Sequence, residues 1–256
     1  VFRIGATSFV YRDHVVPNVE RLASRVDDVE ILIFDVEHDL PSPADVARLI
    51  ELKHEHQLSY TVHTPLDASL ASADAPRRQR GLDKVRRALD WARPLAPHGH
   101  PLHVYLGERE HDPAPPHDLD AWRARAHDSL ARLATDGHDP RALCVELIDY
   151  DFALIHPVIE ALDLGIALDV GHLQRDGKAL DDALDRYLGR ARIIQWHGTT
   201  PAGRDHKSLR HLPENAADQL IRRLLRDGWP GVLTLEVFDL QDFEESLTIV
   251  ERLVSP

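Results

Sequence analysis

The 256-residue sequence has a single cysteine, Cys144, and no methionine. One thiol excludes a disulfide framework and any cysteine-based zinc cluster. Lysine is scarce: the 30 Lys+Arg include only Lys53, Lys84, Lys178 and Lys207, and the arginines are spread along the chain. No basic stripe forms, and the 43 Asp+Glu leave a formal net charge of −13, which repels a polyanion at long range. No apolar run approaches the roughly 18 residues needed to cross a bilayer, and no basic-then-apolar leader opens the chain. These absences predict a soluble, cytoplasmic protein with neither a nucleic acid nor a membrane as partner. A glycine-rich phosphate loop is also missing: Gly5-Ala6-Thr7-Ser8, after the first apolar run, is not a dinucleotide fingerprint.

What the sequence does have is core material. Hydrophobic residues make up 43%, enough to exclude disorder as the main state. The length suits one large α/β domain, here taken as residues 1–256. Short apolar runs recur at 2–8, 30–37, 58–64, 101–107, 142–148, 164–170, 191–198 and 232–238. Amphipathic helical patterns follow them at 17–26, 43–56, 77–93, 119–135, 151–162, 178–188, 214–227 and 241–254. The runs are continuous rather than alternating, as in parallel strands covered on both faces. Eight strand–helix units predict a (β/α)8 TIM barrel, with an open doubly wound sheet as the alternative.

Active sites of such barrels lie at the C-terminal ends of the strands. The ends of these runs offer Asp35 or Glu37, His63, His103, Glu146, Asp169 with His172, His197 followed by Asp205-His206, and Glu236. Burying one such group unpaired costs several kcal/mol, against a net stability of about 5–15 kcal/mol. Divalent cations among them are the economical compensation. A His/Asp/Glu set without thiolate suits Zn, Mn or Fe(II), and two or three ions are expected. Glu146 in Leu-Cys-Val-Glu and Glu236 in Leu-Thr-Leu-Glu-Val-Phe are strong candidates, since a Glu in an apolar strand is rarely buried without a cation. Asp169 and His172 lie three apart across a strand end, a spacing that lets both reach one cluster. Asp35 and Glu37 are explained as well by helix capping or loop hydrogen bonds. Histidines in polar loops, such as His98, His111, His117 and His138, read as solvated surface.

The set Glu146, Asp169-x-x-His172, His197 and Glu236 resembles the xylose-isomerase-like, endonuclease IV-type barrel superfamily. A closer resemblance runs through residues 3–11, 17–23 with 26–30, 60–67, 168–172, 203–209 and 231–238. There the chain is similar to the cobamide-remodelling phosphodiesterase family, CbiR. That resemblance implies metal-dependent cleavage of the nucleotide-loop phosphodiester of cobamides such as cobalamin, giving cobinamide, with a small-molecule corrinoid as partner. The implied ligands are His63, His103, Glu146, Asp169, His172, His197, His206 and Glu236. Glu146, Asp205 and His206 are the catalytic candidates, and Arg204 is a phosphate clamp through its donor fork. Tyr11 and Tyr105 are substrate contacts; Tyr150, Trp196 and Phe238 also lie near strand ends, with Trp196 expected to point into the helix layer. The chain departs from the family pattern in three places. Leu147 follows Glu146, Gln195 stands where a first histidine is expected before His197, and His103 is one residue out of register or is replaced functionally by Tyr105. Other readings are a single-metal sugar isomerase or epimerase, a DNA-repair nuclease and a non-catalytic corrinoid-binding protein.

Overall fold

The computed structural model describes residues 2–38, 40–107, 118–146 and 150–255. The Pro- and His-rich stretch 108–117 and Leu147 lie outside the described residues. Eight parallel strands form one sheet in the order β3-β2-β1-β8-β7-β6-β5-β4. They are β1 (Arg3–Thr7), β2 (Asp28–Leu32), β3 (Ser59–His63), β4 (His100–Leu102), β5 (Leu143–Glu146), β6 (Gly165–Asp169), β7 (Ala191–Trp196) and β8 (Val232–Leu235). Every residue of β2, β4, β5, β6 and β8 is buried, as continuous apolar runs require.

The two ends of the sheet, β3 and β4, meet to close the barrel. They share one isolated bridge, Thr61 to Gly99, and a few backbone hydrogen bonds: His98 N to Tyr60 O, Val62 N to Gly99 O and Thr64 N to Pro101 O. Pro101 has no N–H, so this seam lacks a donor that the other seams have. The result is a nearly closed barrel with one sparse joint.

Nine α-helices among the described residues cover the outside: α1 (Val15–Leu22), α2 (Pro43–His56), α3 (Ala75–Ala92), α4 (Leu119–Thr135), α5 (His156–Ala161), α6 (Val170–Arg175), α7 (Leu180–Tyr187), α8 (Ala216–Arg226) and α9 (Leu240–Val254). Their starts are written locally. Ser42 and Asp45 form a capping box before Pro43 on α2, and Asp118 accepts from Ala121 N at the start of α4. Large side chains fill the layer between sheet and helices. Tyr60 reaches outward to donate to Leu49 O on α2, and the fully buried Trp196 donates through Nε1 to Gln174 Oε1 on α6. None of the described helices is long and apolar enough to cross a membrane.

Inside the barrel the lining is polar. Ser59 Oγ donates to Asp28 Oδ2 at 2.5 Å, and Gln195 Nε2 donates across the barrel to Glu30 Oε1 at 3.1 Å. Thr61 and Thr234 are also fully buried. This polar column leads up to the C-terminal rim.

Candidate metal centre

Carboxylates and imidazoles from six strand ends and two following segments converge at that rim. Glu146 ends β5 and sits between two histidines. His63 Nε2 lies 2.9 Å from Glu146 Oε2, and His103 Nε2 lies 3.0 Å from Glu146 Oε1. Both rings are oriented from behind. His63 Nδ1 is 2.8 Å from Thr64 O, and because a carbonyl only accepts, Nδ1 carries the proton there. His103 Nδ1 is 2.7 Å from the Tyr105 hydroxyl, which itself donates to Leu66 O at 2.6 Å, so His103 Nδ1 must also be the donor. Each neutral ring then turns a bare Nε2 lone pair toward Glu146. That arrangement is repulsive unless a proton or a cation stands between, and it is how protein-bound histidine ligands are commonly oriented. Burial opposes charge on His63, but its hydrogen bond to Glu146 and the Glu146 and Glu30 charges together outweigh this and lift it to about 9. Burial likewise raises the Glu146 carboxyl, yet the two histidines hold it well below the usual carboxylate range.

A second group gathers on β6, β7 and β8. Asp169 ends β6 and caps α6 directly, its Oδ1 accepting from His172 N at 2.7 Å. No loop intervenes, so the Asp-Val-Gly-His spacing is the first turn of a helix. Asp169 Oδ2 lies 2.8 Å from His172 Nδ1, and Asp169 Oδ1 lies 3.7 Å from His197 Nε2. Gly171 is what lets His197 lie against this turn: a Cβ there would sit 2.4 Å from the His197 ring. His197 Nε2 and Glu236 Oε2 are buried with no hydrogen-bond partner among the described residues. Burial pushes His197 down to about 4, and burial with the nearby Asp169 and Glu146 charges pushes Glu236 well above its ordinary value.

His206 completes the rim from the segment after β7. That segment folds back on itself through Gly198 N to Lys207 O and Lys207 N to Gly198 O, and Gly198 permits the approach because a Cβ would meet Ser208 O at 2.2 Å. Lys207 Nζ ties it to Asp239 and Asp242 at the start of α9. His206 takes a left-handed φ of 50°, uncommon for a residue with a side chain. Its ring lies 4.2 Å from that of His197 and 5.5 Å from that of His172, and its Nδ1 is 3.2 Å from Glu236 O. Asp205 Oδ2 accepts from Arg175 Nη1 at 2.8 Å and lies 3.8 Å from His172 Nε2.

Among the described residues, three groups therefore have ligand atoms close enough to share an ion: His63, His103 and Glu146; Asp169, His197 and Glu236; and His172, His197 and His206. The unpartnered Nε2 and Oε2 atoms, the rings oriented through Nδ1 and the absence of thiolate fit divalent cations. All eight residues expected as ligands come together.

The other expected residues are placed as follows. Tyr105 is buried behind His103 rather than facing the opening. Tyr11 is half-buried beneath the Arg21 guanidinium, 5.0 Å from ring to carbon, and bonds through its backbone to Asn18. Arg204 is exposed on the turn of the folded-back segment, and Arg175 reaches the edge of the cluster through Asp205. Asp35 and Glu37 stand in an exposed turn, where Asp35 accepts from Glu37 N and pairs with His38. Tyr150 is buried against Trp122, and Phe238 faces the opening. Sequence reasoning passed over Arg175, Glu30, Phe9 and Phe34. Glu30 carries the same signal as Glu236, a carboxylate inside an apolar strand; burial raises it to about 7.

The sequence profile of the xylose isomerase-like TIM barrel family matches residues 23–253. No curated protein matches the sequence. Among solved structures, a D-tagatose 3-epimerase-like protein superposes with a TM-score of 0.75 at 20% identity, covering 99% of this chain and 100% of its own. The 3-keto-D-glucoside 4-epimerase YcjR from E. coli does so at 0.73 and 17%, covering 99% of each chain. Endonuclease IV from Thermus thermophilus gives 0.73 and 17%, covering 98% of each. At these identities the likeness is one of fold.

Proposed function

The chain belongs to the xylose isomerase-like TIM barrel family, and from that premise we propose that it is a metal-dependent phosphodiesterase acting on cobamides. The carrying observation is the number and grouping of ligands. One ion in a sugar epimerase needs about four protein ligands, which Glu146, Asp169, His197 and Glu236 would supply. Here His63 and His103 form a separate group with Glu146, and His172 and His206 form a third with His197. Several ions suit phosphodiester hydrolysis, where charge must be neutralised on both sides of phosphorus. The cobamide as substrate rests on the resemblance of residues 60–67, 168–172, 203–209 and 231–238 to the CbiR family.

Two or three divalent ions, when bound by these groups, supply an acidified water and neutralise the phosphoryl oxygens. The residues of the chain do the rest. Thr64 O and Tyr105 hold His63 and His103 with Nε2 toward the site. Asp205 and His206, partly exposed at the rim, exchange the proton lost by the attacking water and gained by the leaving oxygen with solvent. Arg175 holds Asp205 from behind. In the overall reaction the water oxygen bonds to phosphorus and the ester bond to the corrin-linked alkanol breaks. That alkanol oxygen takes a proton, giving cobinamide and a nucleoside monophosphate.

The second reading, a sugar epimerase, is favoured by the fold of the D-tagatose 3-epimerase-like protein and of YcjR. Elemental analysis of the purified protein, with chromatography of a cobalamin incubation, separates the two. Two or more ions per chain and chelator-sensitive release of cobinamide are expected. One ion, no cobinamide and turnover of a ketose would establish the epimerase instead.

A further inference from the structure

The cavity over the metal-ligand groups has an unexpectedly apolar wall. Its volume is about 210 Å3, and beside the ligands it is lined by Phe9, Phe34 and Phe238. These follow β1, β2 and β8, three neighbouring strands, so they stand together on one side of the rim. They are 39%, 42% and 42% exposed, and they account for three of the five large hydrophobic residues exposed on the described surface. Phe9 and Phe34 pack edge to face at 5.0 Å, and the Phe238 ring lies tilted at 4.9 Å from that of His206. Three phenyl rings held in water at a site mouth signal a partner that covers them.

The wall continues. A larger cavity of about 790 Å3 shares Phe9 and Leu32 with the first and runs between the segments entering α1 and α2, over Val15, Val16, Leu40 and Pro41. The reacting site thus adjoins, across Phe9 and Leu32, a second cavity of mixed lining, whose apolar residues are joined by polar ones such as Asp13, His14 and Asp45.

We propose that Phe9 and Phe34 form a subsite for the non-reacting body of the substrate, a broad group with an apolar face that extends from the scissile phosphodiester into the second cavity. This deepens the phosphodiesterase reading and rests on it. A monosaccharide can lay its C–H face on the phenyl rings, but it is too small to reach from the metal-ligand groups into the second cavity. The two aromatic side chains instead select for area, which a corrin ring has and a small diester lacks.

The test uses Phe9→Ser and Phe34→Ser in the full chain, with Leu225→Ser, exposed on α8, as a control. Binding of cobinamide, which carries the ring without the diester, is followed by calorimetric titration of the metal-loaded protein. Each Phe variant is expected to weaken binding by about ten- to a hundredfold, and the control to leave it unchanged. In turnover, the ratio of kcat/KM for cobalamin to that for methyl 4-nitrophenyl phosphate should fall in both Phe variants. Wild-type protein that ignores cobinamide, or Phe variants that bind it as tightly as wild type, would overturn the subsite. Tight, Phe-dependent binding without any diester cleavage would instead retain the subsite and sink the hydrolase.

Discussion

Single residues at the rim act through the atoms behind them. Tyr105 is a positioning residue: its hydroxyl accepts from His103 Nδ1 and donates to Leu66 O. Tyr105→Phe should weaken metal at the His63, His103 and Glu146 group by about ten- to a hundredfold. It should lower stability by about 1–3 kcal/mol, the worth of two lost hydrogen bonds. Metal titration and urea denaturation of the same variant separate the two effects. Lower in the barrel, burial raises Asp28 to about 6, against hydrogen bonds from Ser59 and Thr61 that lower it. A carboxyl whose folded pKa lies above its unfolded value gives stability that is complete below pH 3.8 and lost as pH rises through about 6. Asp28→Asn, which keeps an acceptor for Ser59, should therefore be more stable than wild type by about 2–3 kcal/mol at pH 8 and by little at pH 4. Equal denaturation midpoints for the two proteins at pH 8 would show that burying the ionised Asp28 costs the fold nothing and that its value is not raised.

Short elements decide how the ligands meet. Helix α6 starts on Asp169 without a loop, and Gly171 in its first turn leaves room for the His197 ring. Gly171→Ala should push His197 off its place, lowering stability by about 1–3 kcal/mol and emptying the groups that share His197 while sparing the one around Glu146. A loss of all metal in step would contradict that separation. Legibility in the sequence follows the same local physics. The ends of α2 and α4 coincide with those read from the sequence, because Ser42-Pro43 and Asp118 mark their starts chemically. The apolar run 30–37 predicts the second strand, which is Asp28–Leu32. Apolar character persists through Ile33 and Phe34 because Phe34 lines the mouth, so a wall residue passes for strand interior. That shift turns attention to Asp35 and Glu37 and away from Glu30. Helix α6, six residues long, is too short for any periodicity to register. The ligands themselves are legible because each is a charged or imidazole side chain closing or following an apolar run. Arg175 is not, since nothing in a sequence tells which of many arginines will face a carboxylate thirty residues away.

At the scale of the whole molecule, the barrel's sparse joint and its ligand groups coincide. His63 ends β3, His103 follows β4, and both face Glu146 on β5, so one group of ligands straddles the β3–β4 seam. An ion shared by the three would act as a rivet. At a metal concentration about 100 times its dissociation constant, binding to the folded chain alone adds about 2.7 kcal/mol. Hydrogen exchange should register this at the amides of Val62, Thr64 and His98, which bond across the seam. These amides should be slowed in loaded protein far more than those of β1 and β2, which contribute no residue to the three ligand groups, and equal slowing everywhere would remove the rivet. Stripping the ion would then do more than silence the chemistry: it would let the cylinder gape along one stave's edge, and a chelated sample would age faster than a merely inhibited one.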